Sequence, residues 1–284
     1  MISHKIPLPF QGNKSKHISQ FIDYVKQCPA TTYIDLFGGS CYLSYVVHKL
    51  KPEAKVICND YDNYRSRLYN IKTTNEIIER IKQITTSKRQ TKYTPEETQQ
   101  IKDIINEFID KYSYSVIDSI TLSKCLCFSG NYYNTPHALL KCNHYFNNLP
   151  KNPYEVKWYL DSLEGIKFKR KDWQELFNKY KDDPNVCFIA DPPYLGTDKT
   201  AYSNEYWKLR DSLETLRIFK HPYFVYYTSE KSELLELIDY LNDIFLTIKP
   251  ITFQKQTIQR SGLNKDAKPW QDIMITNTFN QSKN

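Results

Sequence analysis

The stretch TTYIDLFGGSCYLSYVVHKLKPEAKVICND, Thr31 to Asp60, sets the reading of the whole chain. Its first run, Thr31 to Leu36, is β-rich and ends at the paired glycines Gly38 and Gly39, which stop a strand and permit a sharp turn. CYLSYVVHKLK then continues as an apolar helix, and KVICND (Lys55 to Asp60) is a second short strand ending in an acid. Strand, glycine turn, helix and strand make a βαβ unit, which predicts a parallel sheet with a right-handed crossover. Just upstream, Ile18, Phe21, Ile22 and Val25 in HISQFIDYVKQC recur at helical spacing.

Beyond this unit the pattern changes. From about Tyr64 to Pro153, NEIIERIKQI and PEETQQIKDIINEFIDKY read as amphipathic helices on either side of a polar basic loop, and the segment closes in the aromatic loop CFSGNYYNTPHALLKCNHYFNNLPKNP. No strand pattern is evident there. Residues 67–153 are therefore expected to form an inserted, mainly helical subdomain, and residues 1–66 with 154–284 one discontinuous α/β domain. Strand runs resume with GIKFKRKDW, VCFIADPPY and YFVYYTSE, separated by helical stretches such as SELLELIDYLNDI. The tail reads as two or three antiparallel strands around RSGLNKDAKPW, so the sheet is expected to be mostly parallel with an antiparallel C-terminal hairpin.

With 284 residues, 40% of them hydrophobic, the chain can bury one large core and carry a smaller one. No apolar run approaches the roughly 18 to 20 residues of a membrane span, and the first residues hold no apolar signal segment. A soluble protein of the cytoplasm is expected. Seven scattered cysteines with no CxxC pair fit a reducing compartment. Cys125, Cys127, Cys142 and His144 supply metal-ligand residue types, but their spacing matches no zinc pattern, so buried thiols and no metal are expected. The net charge of +7, with local runs at Arg80 to Lys92 and Lys167 to Lys171, favours a polyanionic partner.

Three features sit at strand ends, where open α/β sheets bind ligands. In DLFGG, the glycines let backbone approach a ligand closely, and Asp35 could meet a positively charged group. Asp60, about twenty residues on, is placed where a nucleoside-binding sheet keeps an acid for ribose hydroxyls. The third is Asp191-Pro192-Pro193-Tyr194. The prolines fix φ and form a rigid extended turn, and neither can donate a hydrogen bond. The Asp191 carboxylate and the Pro192 carbonyl thus form an acceptor-only corner, suited to a group with two N–H donors such as an exocyclic amine. Accepting both protons localises the lone pair of that nitrogen. Tyr194 adds a flat face on which a base can stack, worth about 1–3 kcal/mol.

FQGNK (Phe10 to Lys14), YIDLFGGS, CND and ADPPYL, in this order and with a long insert before the last, resemble the Dam-type DNA adenine-N6 methyltransferases of bacteria and phages. The resemblance runs through most of the chain and is weakest from about Tyr64 to Lys124. It implies a Rossmann-like class I methyltransferase fold, S-adenosylmethionine as cofactor, double-stranded DNA as partner and a flipped adenine as substrate, with no obligatory protein partner. GATC is the site that most of the family implies, and the cytoplasm of a bacterial cell or phage-infected host is the implied location. Position by position, Phe10 and Lys14 match residues beside the amino-acid end of the cofactor and the target. Asp35, Phe37 and Gly39 match the cofactor loop, Asp60 the ribose-binding acid, and Asp172-Trp173 the pair near the cofactor's adenine ring. Asp191, Pro192, Pro193 and Tyr194 match the catalytic block, with Asp191 also facing the cofactor. Tyr202 is a candidate second wall for the flipped base, and CFSGNYYNTP resembles the DNA-reading region. One position departs: the family often has FxGxG, and the last position here is Cys41. A cysteine disfavours positive φ, which puts the tight turn in question.

Other readings stay open at this level. A protein-glutamine methyltransferase would ordinarily carry Asn-Pro-Pro-Tyr, and cytosine-N4 enzymes favour serine at the first position. An RNA substrate fits the same fold. A DNA-binding protein without activity would have no use for Asp60 and Asp191 together, and a nuclease would need a metal-binding acid–lysine set that the sequence does not show.

Overall fold

The apolar runs of the sequence become the strands of one sheet. In the computed structural model of the chain, residues 2, 5–12, 14, 18–128, 131–194, 207–230, 232, 234–244, 254–260 and 270–277 are described. The strands are β1 (Thr32–Asp35), β2 (Lys55–Asn59), β3 (Lys167–Lys169), β4 (Val186–Ala190), β5 (Phe224–Ser229), β6 (Gln254–Arg260) and β7 (Trp270–Thr276). Their order is β3-β2-β1-β4-β5-β7-β6. The first five are parallel, whereas β7 runs antiparallel to β5 and pairs with β6 in an antiparallel hairpin. Every residue of β4 and β5 is buried. Such unbroken burial is what a parallel sheet covered on both faces requires.

Helices α1 (Ile18–Gln27) and α2 (Tyr42–Leu50) cover one face, where Tyr33, Val56, Cys187, Ile189 and Val225 meet Phe21, Val25 and Val46. The alternate strand residues Ile34, Ile57, Phe188 and Phe224 point the other way. They pack on residues introduced later in the chain. After β2 come α3 (Tyr64–Tyr69), α4 (Ile71–Ile84), α5 (Pro95–Tyr112), α6 (Ser119–Leu126), α7 (Pro136–Leu140) and α8 (Lys157–Ser162). After β3 comes α9 (Trp173–Tyr180), after β4 α10 (Leu209–Thr215), and after β5 α11 (Leu234–Ile244). Trp173, Leu176 and Phe177 of α9, with Ile218 and Ile238, complete the second face.

A third buried cluster lies within the segment between β2 and β3. Ile77, Ile78 and Ile81 of α4 pack on Ile101, Ile104, Ile105, Phe108 and Ile109 of α5, the one-sided stripe of an amphipathic helix. Cys125, Cys127 and Cys142 belong to this apolar cluster, with Cys127 Sγ 3.7 Å from Cys142 Sγ. Two isolated antiparallel bridges, Lys92 with Phe146 and Cys127 with Tyr145, add a little β-structure that residue patterning did not reveal. The start of α5 is tied by a capping box: Thr94 caps the Glu97 amide, and the Glu97 side chain reaches back to the Thr94 amide. Among the described residues no helix is long and apolar enough to cross a membrane.

Candidate active site

Strands β2 and β3 lie to one side of β1, and β4 and β5 to the other, so the chain reverses direction across the sheet between β1 and β4. At such a switch point the loops leaving adjacent strand ends part and open a crevice. Asp35 is paired in register with Ile189, which brings the Gly38-Gly39 turn and the Asp191 corner to the two lips of that crevice. A cavity of about 340 Å³ occupies it.

The floor is backbone. Gly38 packs so closely on β2 that a Cβ there would lie 2.9 Å from the Asn59 carbonyl oxygen, and a Cβ on Gly39 would lie 2.8 Å from the Phe10 ring. Gly39 has φ +49°, and Cys41 adopts a left-handed conformation too, with φ 61° and ψ 14°. The cysteine therefore does not spoil the turn that its chemistry put in question. Left-handed backbone costs a non-glycine residue about 1–2 kcal/mol, and here the Cys41 side chain, fully buried beside Cys58, offsets that cost. Aromatic rings form the walls: Phe37 lies 5.7 Å from Trp173 and 5.7 Å from Trp207 between ring centroids. Phe10 closes the top against Gly39 and packs edge-on against Tyr64.

Acids gather at the end nearest β4. Asp191 Oδ2 is 2.5 Å from Lys14 Nζ, and the Tyr194 hydroxyl donates to Oδ1 at 3.2 Å. Lys14 is buried, donates also to the Gly12 carbonyl at 2.8 Å, and lies over the rings of Tyr194 and Tyr227. Burial raises the Asp191 carboxyl above the ordinary carboxylate range, against the opposing pull of Lys14. Asp35 is pushed up to about 7, chiefly by burial, with the Ser44 hydroxyl bond opposing and the neighbouring Asp191 charge reinforcing the rise. Ser44 donates to its Oδ2 at 2.9 Å, while its buried Oδ1 has no hydrogen-bond partner among the described residues. A buried acceptor left in this state calls for a donor. The residues present thus suit a ligand with an aromatic nucleoside portion, which the walls would sandwich, and a cationic portion, which the acids would attract.

Residues 10–252 match the family described as D12 class N6 adenine-specific DNA methyltransferase. The chain belongs to this family. It is an adenine-specific DNA methyltransferase, and its sheet order and antiparallel C-terminal pair are those of a class I methyltransferase fold. A protein of Haemophilus influenzae named "Putative methyltransferase" is 32% identical over 251 residues, covering 84% of this chain and 80% of that protein.

In the methyltransferase Phe10, Lys14, Phe37, Gly39, Asp172, Trp173, Asp191 and Pro193 all line the cavity. Asp35 sits just beneath it, buried. Asp172 also caps α9 by accepting from the Gln174 amide at 2.7 Å. Pro192 and Tyr194 adjoin the wall without lining it, and Tyr202 lies outside the described residues. Asp60 is placed differently from the expectation. Its oxygens accept from the backbone amides of Tyr64 at 2.6 Å and Arg65 at 3.0 Å, so the carboxylate anchors the start of α3 rather than facing the cavity. Asn59 and Asp62 flank it and do line the cavity. Asn59 ties three loops together, donating to the carbonyls of Leu36 at 3.0 Å and Lys171 at 2.8 Å and accepting from the Lys171 amide at 3.0 Å. Its place in CND was a signal available to sequence reading. Trp207 had none, because nothing in its local sequence ties it to a glycine turn far upstream.

Proposed function

We propose that the enzyme transfers the methyl group of S-adenosylmethionine to N6 of an adenine flipped out of duplex DNA, with GATC the first site to test. The observation that carries this reading is the placement of the Asp191-Pro192-Pro193-Tyr194 corner on the lip of the nucleoside-sized cavity, opposite the Gly38-Gly39 turn. The cofactor, when bound, supplies an electrophilic methyl group on a positively charged sulfur. Phe37, Trp173 and Trp207 offer faces for its adenine, Asn59 and Asp62 polar groups beside them, and Asp35 and Asp191 the negative charge that favours its cationic end.

On the substrate side, Asp191 and the Pro192 carbonyl accept the two N6 protons, orienting the nitrogen and localising its lone pair. Lys14 and Tyr194 already hold the two Asp191 oxygens, so the entering amino group replaces one of these hydrogen bonds. Tyr194 stacks on the base and helps offset the few kcal/mol that unstacking costs. No covalent enzyme intermediate is required, and positioning and electrostatics carry the rate. Residues 67–153 form the target-recognition region in this reading. Lys88, Arg89, Lys92 and Lys124 are exposed there, available for phosphates. Labelled methyl groups should enter adenine of unmethylated DNA and neither RNA nor protein. Label recovered in glutamine or in cytosine would assign the corner to an amide nitrogen or to another exocyclic amine.

A further inference from the structure

At the start of the insert stands a buried guanidinium. Arg67, on α3, donates from Nε to Asp118 Oδ1 at 2.9 Å and from Nη2 to the Pro9 carbonyl at 2.8 Å and to Thr121 Oγ1 at 3.1 Å. Asp118 is the N-cap of α6, and its oxygens also take the Thr121 amide and hydroxyl, at 3.0 and 2.5 Å. The side chains of the pair are 10% and 1% exposed. On the other side, the guanidinium lies 5.1 Å from the centroid of the Tyr64 ring, and the Tyr64 hydroxyl engages both the amide and the carbonyl of Leu8 at 3.2 Å. Leu8 and Pro9 are thereby clamped from α3. The next residue, Phe10, roofs the Gly39 turn, and four residues later Lys14 pairs with Asp191.

A buried ion pair is a poor device for stability alone, because apolar residues of similar volume do as well or better. Its use here is geometric. Five donors in a fixed plane let one side chain set the relative positions of three segments, which neither a lysine nor an apolar residue can do. The clamped residues Leu8 and Pro9 lead directly to Phe10 over the Gly39 turn, and Lys14 beyond them is paired with Asp191.

We infer that Arg67 is a positioning residue that couples the insert to the cavity, so that DNA held by the insert and cofactor held under Phe10 strengthen one another's binding. This rests on the proposed function. By linkage the enhancement must be reciprocal. The dissociation constant of S-adenosylhomocysteine should be measured with and without unmethylated plasmid DNA, and that of the DNA with and without S-adenosylhomocysteine. For the natural enzyme each ligand should tighten the other about 5- to 150-fold. Arg67→Lys and, separately, Asp118→Asn should leave each ligand's affinity alone within about threefold yet lower the mutual enhancement at least fivefold, and the double variant should lose no more than either single one. In kinetics this appears as a raised KM for DNA at low cofactor with kcat at saturation nearly kept. An enhancement retained in both variants, absent from the natural enzyme, or lost together with binding of the separate ligands overturns the inference. A natural enzyme that methylates no adenine overturns the functional reading as well, whereas methylation with undiminished coupling in the variants overturns this inference alone.

Discussion

Asp35 shows how a single side chain can be built at the folded state's expense. Its carboxyl is raised to about 7 by burial, so the folded chain holds that proton far more tightly than the unfolded chain, whose Asp titrates near about 3.9. The sign follows from linkage: stability contributed by this group falls as pH rises from about 4 to about 7 and stays low above it. Asp35→Asn removes the charge and should flatten that decline, giving a higher Tm than the natural protein at pH 8 and little change at pH 4.5 in thermal melts without cofactor. The same substitution should weaken S-adenosylmethionine binding, because the orphaned oxygen is lost as a charged acceptor. Gly39→Ala tests the turn. At φ +49° a methyl group adds about 1–2 kcal/mol of backbone strain and presses into the Phe10 ring. Cofactor affinity measured by calorimetry should fall at least tenfold while the melting curve keeps its cooperativity.

Among the elements, the α4–α5 connection hangs on Glu97. One carboxylate oxygen accepts from the amides of Thr86 at 2.6 Å and Ser87 at 2.8 Å, and the other from the Thr94 amide at 2.9 Å and the Ser87 hydroxyl. Burial pushes this carboxyl upward, but the hydrogen bonds outweigh it and hold its pKa well below the carboxylate range. A depressed pKa means stability that is present above the unfolded value near about 4.3 and lost as pH drops toward the folded one. Glu97→Gln keeps one acceptor and loses the other. It should cost about 1–3 kcal/mol in urea unfolding at pH 7, with faster hydrogen exchange at Thr86 and Ser87 as its local mark. At the element scale the sequence was informative because the causes are local: Thr94, Pro95 and Glu97 announce the start of α5, and apolar spacing announces its buried face. The bridges at Lys92 and Cys127 were hidden because their partners, Phe146 and Tyr145, are far along the chain.

For the molecule as a whole, chemistry and recognition are separable in the proposed reading, and each has its own test. Asp191→Ala should retain the fold and DNA affinity while methyl transfer drops by at least about 10³-fold, the scale of losing a transition-state hydrogen-bond partner. Undiminished transfer in that variant would sink the assignment. Substituting Lys88, Arg89 and Lys92 together should instead weaken DNA binding broadly across sequences and shallow its salt dependence by about one unit of slope for each phosphate no longer neutralised. Transfer at saturating DNA should survive, since none of the three lines the cavity.

The sequence by itself determined the alternation of strand and helix, the glycine turn and the acceptor corner, because each depends on the conformational limits and hydrogen-bonding capacity of adjacent residues. It also put Asp191, Trp173 and Phe10 in the site without showing why they meet. Only the tertiary structure decided that. Pairing β1 with both β2 and β4 creates the crevice, and the packing of α3 turns Asp60 inward to cap a helix while Asn59 and Asp62 face the cavity. Neighbouring acids on one loop look alike in sequence, and which of them faces the cavity is fixed by the backbone amides that claim the other.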